Sequence, residues 1–259
     1  MSLIALVGDC TTTTSLAIAA SWIDEVVILE ADRSGGSLTA WLDTPATPSL
    51  ATIVANAPVS RSTIESMTQN SSAGVRFIAA PIRARAAATA IDEAAKMVFP
   101  EFASPEHPVV LADVGRNMSI DRAPAILRLS ELIVVCHRQE PASTAASTVR
   151  LDRLAEFIET LVPLGIPMML TIIGSDPFDP DEIARFIDTT SPDALIGTSL
   201  LPNDPLSAAV LAGRTGVSAK RLRRLPLMRS ASDIAATLRS SVGRVHVSQK
   251  DRAGSLRAP

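Results

Sequence analysis

Short apolar runs recur along the chain, separated by stretches that carry polar residues at helical spacing. Within each run apolar and polar positions do not alternate, which is typical of strands buried on both faces of a parallel sheet. The predicted strands are residues 3–7, 26–29, 75–80, 109–112, 132–136, 167–173 and 194–200. Helices are predicted over residues 12–22, 84–97, 123–129, 144–161, 180–187, 206–212 and 232–241.

Alternating strands and helices imply right-handed βαβ crossovers. The sequence therefore predicts a single α/β domain with a doubly wound, mostly parallel sheet of about seven or eight strands. We expect the domain to span residues 1–245 and residues 246–259 to form a flexible C-terminal tail. Residues 44–69 are predicted to be irregular, with short helices.

Three polar segments fall where predicted strands end, and ligands of doubly wound sheets bind at those ends. Residues 8–15 read G-D-C-T-T-T-T-S, a strand-to-helix turn whose backbone N–H groups suit an anion. Residues 30–38 read E-A-D-R-S-G-G-S-L, which places two carboxylates before a glycine pair. Residues 109–113 read V-V-L-A-D, an apolar strand that delivers one acid.

Taken in order, these segments resemble the MinD/ParA branch of P-loop ATPases, whose Walker A loop, D-x-D-P-x-G-G segment and Walker B aspartate occur in that order. Two later pairs of segments strengthen the resemblance. Residues 130–135 and 139–143 are similar to the family's A-D-E-V-I-V-V and P-E-P-x-S. Residues 201–205 and 211–214 are similar to its I-P-x-D-P and A-x-x-x-G-x-P. The resemblance covers roughly residues 1–240, and the TadZ/CpaE group of the family likewise has atypical Walker motifs.

The resemblance implies a role for each matched residue. Asp32 matches the aspartate that orients the attacking water. The expected nucleotide-binding residues are Gly8, Cys10, Thr11, Thr12 and Thr13. The expected Mg²⁺ ligands are Thr12, Glu30 and Asp113.

The sequence departs from the family at the phosphate-binding loop. The family reads G-K-G-G-V-G-K-T-T, and the alignment places Thr11 at the second lysine. The whole chain has three lysines, Lys96, Lys220 and Lys250, so none is available near residue 8. Arginine can carry the same charge, and Arg33 and Arg116 lie near the expected site. The Asn-Arg that reads adenine in the family corresponds to residues 171–172, Thr and Ile, so base recognition is also altered.

Each segment also has a purely structural interpretation. The threonines from Thr11 to Thr14 can serve only to begin a helix. Gly35 and Gly36 can serve only a loop that needs positive φ. Asp113 can be a buried acid satisfied by neighbouring N–H groups without a metal.

Composition narrows the classes of function. The net charge is −3 and aromatic residues make up 3%, which argues against a global basic field and against base-stacking platforms. The two cysteines, Cys10 and Cys136, are expected to be reduced and partly buried. No apolar run approaches the roughly 20 residues of a membrane span, so we expect a cytoplasmic protein without integral membrane association.

A basic stretch lies near the C-terminus. Its cations are Arg214, Lys220, Arg221, Arg223, Arg224 and Arg229. It is interpreted either as a solvated face that pairs with acids elsewhere or as a surface for a partner protein or DNA.

The leading hypothesis is a MinD/ParA-like protein derived from a nucleotide switch, with weak or absent ATPase activity. It would act as a homodimer with an unidentified protein partner, in positioning, division, pilus assembly or secretion. One alternative is a working Mg²⁺-dependent ATPase with a lysine-free P-loop. Another is a scaffold that binds DNA non-specifically. ATP or ADP with Mg²⁺ and no cofactor at all are both left open.

Overall fold

An eight-stranded sheet forms the centre of the protein. The computed structural model describes residues 3–56, 60–102, 108–116, 125–140 and 143–255, with backbone only at 61, 144, 219 and 242–255. The strands are β1 (Leu3–Gly8), β2 (Val26–Glu30), β3 (Gln69–Asn70), β4 (Arg76–Ile78), β5 (Val109–Gly115), β6 (Leu132–Arg138), β7 (Met168–Ile173) and β8 (Leu195–Leu201). Their order across the sheet is β3-β4-β2-β5-β1-β6-β7-β8, and all pairs except β3 with β4 are parallel. The predicted fold class is confirmed.

Twelve α-helices are assigned within the described residues. They are α1 (Thr11–Ser21), α2 (Leu38–Leu42), α3 (Leu50–Ala55), α4 (Arg61–Met67), α5 (Ala84–Met97), α6 (Phe99–Phe102), α7 (Ala125–Arg128), α8 (Thr144–Leu161), α9 (Pro180–Thr190), α10 (Pro205–Leu211), α11 (Ala219–Leu222) and α12 (Pro226–Ser255). In the part of the chain that the structure describes, no helix combines the length and the apolar character needed to cross a membrane.

The strands bury side chains on both faces, as the uninterrupted apolar runs predict. On one face, Ala5 and Val7 of β1 pack in the same cluster as residues of α3, α5, α8 and α9. On the other face, Ile4 and Leu6 pack in a cluster with α1, α2, α10 and α12. We call these the α8 face and the α1 face. The carboxyl ends of β1, β2, β5 and β6 meet at one edge between them.

Several element boundaries differ from the prediction. The strand predicted over 75–80 is shorter, because Ala79 accepts a hydrogen bond from the backbone N–H of Leu50 and Ala80 donates to Glu30. The antiparallel β3 was not predicted. The helix predicted over 123–129 is found at Ala125–Arg128, and residues 123–124 lie outside the described residues. Helix α12 begins before residue 232 and continues to Ser255, which includes part of the predicted tail. The flexibility of residues 246–259 stays a prediction.

Candidate functional site at the carboxyl ends of the central strands

The turn between β1 and α1 is only two residues long. Strand β1 ends at Gly8 and helix α1 begins at Thr11, so Asp9 and Cys10 make the connection. The backbone N–H of Asp9 donates to the carbonyl of Cys136 at 2.8 Å, which ties the turn to β6. Gly8 has φ of 108°, and a Cβ there would lie 2.2 Å from the same carbonyl oxygen. The turn therefore lies directly against its neighbouring strand.

Helix α1 begins without a side-chain cap. Cys10, which precedes the helix, has a left-handed backbone (φ 54°), and its side chain makes no capping hydrogen bond. Its carbonyl accepts the N–H of Thr14 at 3.0 Å. Of the expected nucleotide-binding residues, Thr11 is buried, whereas Thr12 and Thr13 are partly exposed. All five lie together at the end of β1, as the sequence predicts.

Thr12 and Asp113 meet across the sheet edge. The Thr12 hydroxyl donates to Oδ2 of Asp113 at 2.6 Å. Asp113 is 1% exposed, and its Oδ1 is buried without a hydrogen-bond partner among the described residues. Burial raises the pKa of Asp113, while the hydroxyls of Thr11 and Thr12 act in the opposite direction. A threonine hydroxyl beside an aspartate is a pair that fits Mg²⁺ chemistry, because hard cations prefer oxygen ligands.

The Glu30 carboxylate accepts hydrogen bonds from backbone N–H groups. Its Oε1 accepts the N–H groups of Ser37 at 2.5 Å and Leu38 at 2.9 Å, and its Oε2 accepts that of Ala80 at 2.9 Å. Burial raises the pKa of Glu30 to about 7, although these three bonds favour the ionised form. The carboxylate thus joins the loop before α2 to the end of β4. A metal ion at Glu30 would have to compete with these donors and with the Ser37 hydroxyl, which lies 3.4 Å from Oε1.

Asp32 and the glycine pair form a tight loop beside this carboxylate. Oδ1 of Asp32 accepts the N–H of Ser34 at 2.7 Å and its hydroxyl at 2.6 Å. A Cβ on Gly36 would lie 2.3 Å from the carbonyl oxygen of Ala80 and 2.7 Å from Oε2 of Glu30. The close approach of the loop to β4 explains Gly36 without a ligand. Asp32 is partly exposed, and its predicted role in positioning water stays a prediction.

The two arginines considered as replacements for the lysine lie in different places. Arg33 makes two hydrogen bonds to the carboxylate of Asp92 on α5. Arg116 follows β5, and its Nε lies 3.1 Å from Oδ1 of Asp9. Arg116 is therefore beside the turn, whereas the guanidinium of Arg33 is held by a different helix.

Asp9 is surrounded by positive groups that the sequence analysis did not bring together. Its Oδ2 accepts the backbone N–H of Arg138 at 3.1 Å and lies 3.9 Å from Nη2 of Arg150. Arg150 also binds Glu140 at 2.6 Å. Arg150 was missed because no motif marks it. The sequence shows that Arg150 and Arg153 are three residues apart on a predicted helix. Only the topology shows that this side of α8 lies against the turn.

The residues matched to adenine recognition are inside the sheet. Thr171 is buried in β7, and its hydroxyl lies 3.0 Å from that of Ser199 in β8. A cleft of about 380 Å³ lies past the ends of these strands, lined in part by Gly174 and Asn203. The buried Gln139 fixes one wall by donating to the carbonyls of Gly174 and Phe178.

The basic stretch is exposed. Arg214 stacks over Trp41 with its guanidinium carbon 5.2 Å from the ring centroid. The other five cations make no ion pair with the residues that the structure describes. They are Lys220, Arg221, Arg223, Arg224 and Arg229, all exposed on or beside α11 and α12. The interpretation as a face that pairs with acids elsewhere finds no support among these residues.

The cysteines fit the structural interpretation. Cys136 is buried in β6 and Cys10 is partly buried, both are free thiols, and burial raises the pKa of each. Across the described ranges, no group of three or more His, Cys, Asp or Glu side chains is arranged to hold a metal ion. Any Mg²⁺ at the turn would therefore depend on Thr12, Asp113 and ligand oxygens.

No protein-family model matches this sequence, and none of the curated proteins matches it. Solved structures do match, over nearly the whole chain. A ParA family ATPase from Chlorobium tepidum TLS aligns with a TM-score of 0.65 and 16% identity, covering 91% of this chain and 98% of that one. The cell division ATPase MinD of Pyrococcus furiosus aligns with a TM-score of 0.65 and 16% identity, covering 92% and 98%. The fold is that of MinD and ParA ATPases.

A third structure with the MinD/ParA fold was solved with nucleotide. The complex of a Cyanothece McdA variant with ATP aligns with a TM-score of 0.61 and 13% identity, covering 94% of this chain and 96% of that one. At such identities the likeness is one of fold alone. The chemistry at the end of β1 depends on the residues that this chain places there.

Proposed function

We propose that this chain is a MinD/ParA-like protein, derived from a nucleotide switch, with weak or absent ATPase activity. It acts through dimerisation and the binding of a partner protein in cellular positioning, division, pilus assembly or secretion. The observation that carries the proposal is the two-residue turn, closed against β6 by the hydrogen bond from Asp9 to Cys136.

A working P-loop needs converging N–H groups and a fixed positive charge. A Walker A loop cradles phosphates with backbone N–H groups, and its lysine reaches the β- and γ-phosphates. Here the N–H of Asp9 is already bonded, and the Asp9 carboxylate adds negative charge at the turn. The charge of Arg116 is partly neutralised by the same carboxylate. These features support loss of tight nucleotide binding.

Calorimetric titration of the wild-type protein with ATP or ADP in the presence of Mg²⁺ tests the proposal. We expect no binding heat at micromolar nucleotide, because the turn offers the phosphates neither a lysine nor a wide loop. The Asp113→Ala variant should give the same flat titration.

The contrary result is equally clear. Micromolar binding that Asp113→Ala weakens, and that Asp233→Ala on the exposed face of α12 leaves unchanged, would identify a divergent but working switch. Turnover assays would then replace the search for partners. Sedimentation with and without nucleotide tests the proposed homodimer, which should form without nucleotide.

A second candidate function is non-specific DNA binding, favoured by the five exposed cations of the basic stretch. Neutralising phosphates releases counterions, so affinity falls steeply with salt. If all five cations contact phosphates, we expect a slope of log K against log salt of about −4.5. Fluorescence anisotropy with a labelled duplex of arbitrary sequence measures it.

Variants sharpen this measurement. Changing Lys220, Arg221 and Arg224 together to glutamine should make the slope shallower by about 3, whereas Lys96→Gln on α5 should leave it unchanged. A wild-type protein that does not bind duplex at low salt would remove this candidate and leave the basic stretch to a protein partner.

A further inference from the structure

A cleft of about 490 Å³ opens on the α8 face beside the turn. One side is cationic, with Arg116, Arg150 and Arg153, and another is apolar, with Leu154 and Phe157. The four α8 residues share one side of that helix, since they are spaced by three or four positions. The volume is within the range of small-molecule sites, which combine apolar walls with a few convergent polar groups.

The three arginines differ in how far they are already neutralised. Arg150 is held by Glu140 at 2.6 Å and lies near Asp9. Arg116 is 74% exposed and shares Asp9 through its Nε alone. Arg153 is exposed and has no ion pair among the residues described. Arg116 and Arg153 therefore bring positive charge to the cleft that the described residues leave incompletely compensated.

The Asp9 carboxylate is an anionic group already held in the wall of this cleft. It accepts the backbone N–H of Arg138 at 3.1 Å and forms an ion pair with Arg116, whose Nε lies 3.1 Å from Oδ1. Backbone N–H groups combined with planar guanidinium groups are the donors that phosphate oxygens prefer. The buried His137 adds no charge at neutral pH, because burial lowers its pKa.

We propose that this cleft binds a small phosphate monoester whose organic group is apolar. The phosphate lies between Arg116 and Arg153 and competes with Asp9 for Arg116, while the apolar part of the ligand packs on Leu154 and Phe157. The site shares Asp9 and Arg116 with the turn on which the proposed function rests, but it uses neither Thr12 nor Asp113 and requires no Mg²⁺.

Phenyl phosphate and inorganic phosphate, titrated by calorimetry in EDTA, are suitable probes. We expect phenyl phosphate to bind more tightly than inorganic phosphate. Arg153→Gln should weaken phenyl phosphate about tenfold, as expected for one charged hydrogen bond. Phe157→Ala should weaken phenyl phosphate and leave inorganic phosphate unchanged. Asp9→Asn should tighten both probes several-fold because it removes the competing carboxylate.

Two controls define the outcome. Arg85→Gln removes an exposed cation on α5 and should bind like wild type, and Asp113→Ala should also leave phenyl phosphate binding unchanged. The proposal is overturned if neither wild type nor Asp9→Asn binds phenyl phosphate, or if Arg153→Gln binds it as tightly as wild type. Mg²⁺-dependent ATP binding that needs Asp113 would refute the proposed function alone and leave the cleft intact.

Discussion

Gly8→Ala is expected to lower the free energy of unfolding by about 4 kcal/mol. An alanine at φ of 108° is strained by about 1–2 kcal/mol, and overpacking of this kind costs about 1–3 kcal/mol. The clash is with the carbonyl oxygen of Cys136, which would lie 2.2 Å from the new Cβ. Neither the turn nor β6 can move away easily, because the N–H of Asp9 is bonded to that carbonyl. Urea denaturation of the two proteins measures the loss.

Gly165→Ala provides the matched control. Gly165 also has positive φ, at 66°, but no atom of the described residues contacts its Cβ position within 4 Å. It should cost only the backbone strain, about 1 kcal/mol. Equal losses in the two variants would mean that the turn is open rather than closed on β6, and an open turn would leave room for a phosphate-binding loop.

The contribution of Glu30 to the free energy of unfolding is expected to fall as the pH rises. Burial raises the pKa of Glu30 from 4.5 to about 7, so the folded protein binds this proton more tightly than the unfolded chain. The stabilisation is fully present below pH 4.5 and is lost as the pH rises through 7. Its size is about 3 kcal/mol, from about 1.4 kcal/mol for each pH unit between the two pKa values. Asp113, whose pKa is also raised, acts in the same direction.

The Glu30→Gln variant isolates this effect. His137, whose pKa is lowered by burial, acts in the opposite direction below pH 6.5, but it is common to both proteins and cancels. The free energy of unfolding of the variant, measured by urea denaturation, should therefore rise relative to that of wild type by about 3 kcal/mol as the pH increases from about 4.5 to about 8. The control variant Glu159→Gln, at an exposed position on α8, should show the same pH dependence of stability as wild type. Parallel pH curves for Glu30→Gln and wild type would show that the three N–H donors fully offset the burial of Glu30 and leave its pKa unshifted.

The central strands could be predicted from sequence because burial on both faces leaves a continuous apolar run, as at Val109–Gly115 and Leu132–Arg138. Strand β3 could not, since Gln69 and Asn70 are polar and pair only because they lie next to β4. The predicted end of β4 was wrong because it, too, depends on contacts with residues distant in sequence. Its apolar residues continue to Ala80, but the backbone there is bonded to partners distant in sequence.

In the candidate site too, contacts between residues of known motifs could be predicted, whereas contacts that depend on the strand order could not. The pairing of Thr12 with Asp113 follows from a motif order that brings two strand ends together. The partners of Glu30 did not follow, since one of its donors, Ala80, comes from a strand that no motif links to it. The bond from Asp9 to Cys136 depends on β6 lying beside β1, which the topology settles and the local sequence does not.

The closed turn at Asp9 also has a thermodynamic consequence for any assembly built on this fold. A protein that hydrolyses ATP can be driven around a one-way cycle of binding and release. Where ATPase activity is absent, no such input enters at the end of β1, and the complexes that this chain forms on its own must obey detailed balance. Its occupancy of a partner or a cellular site would then follow concentration alone, and direction in the process would have to come from another component.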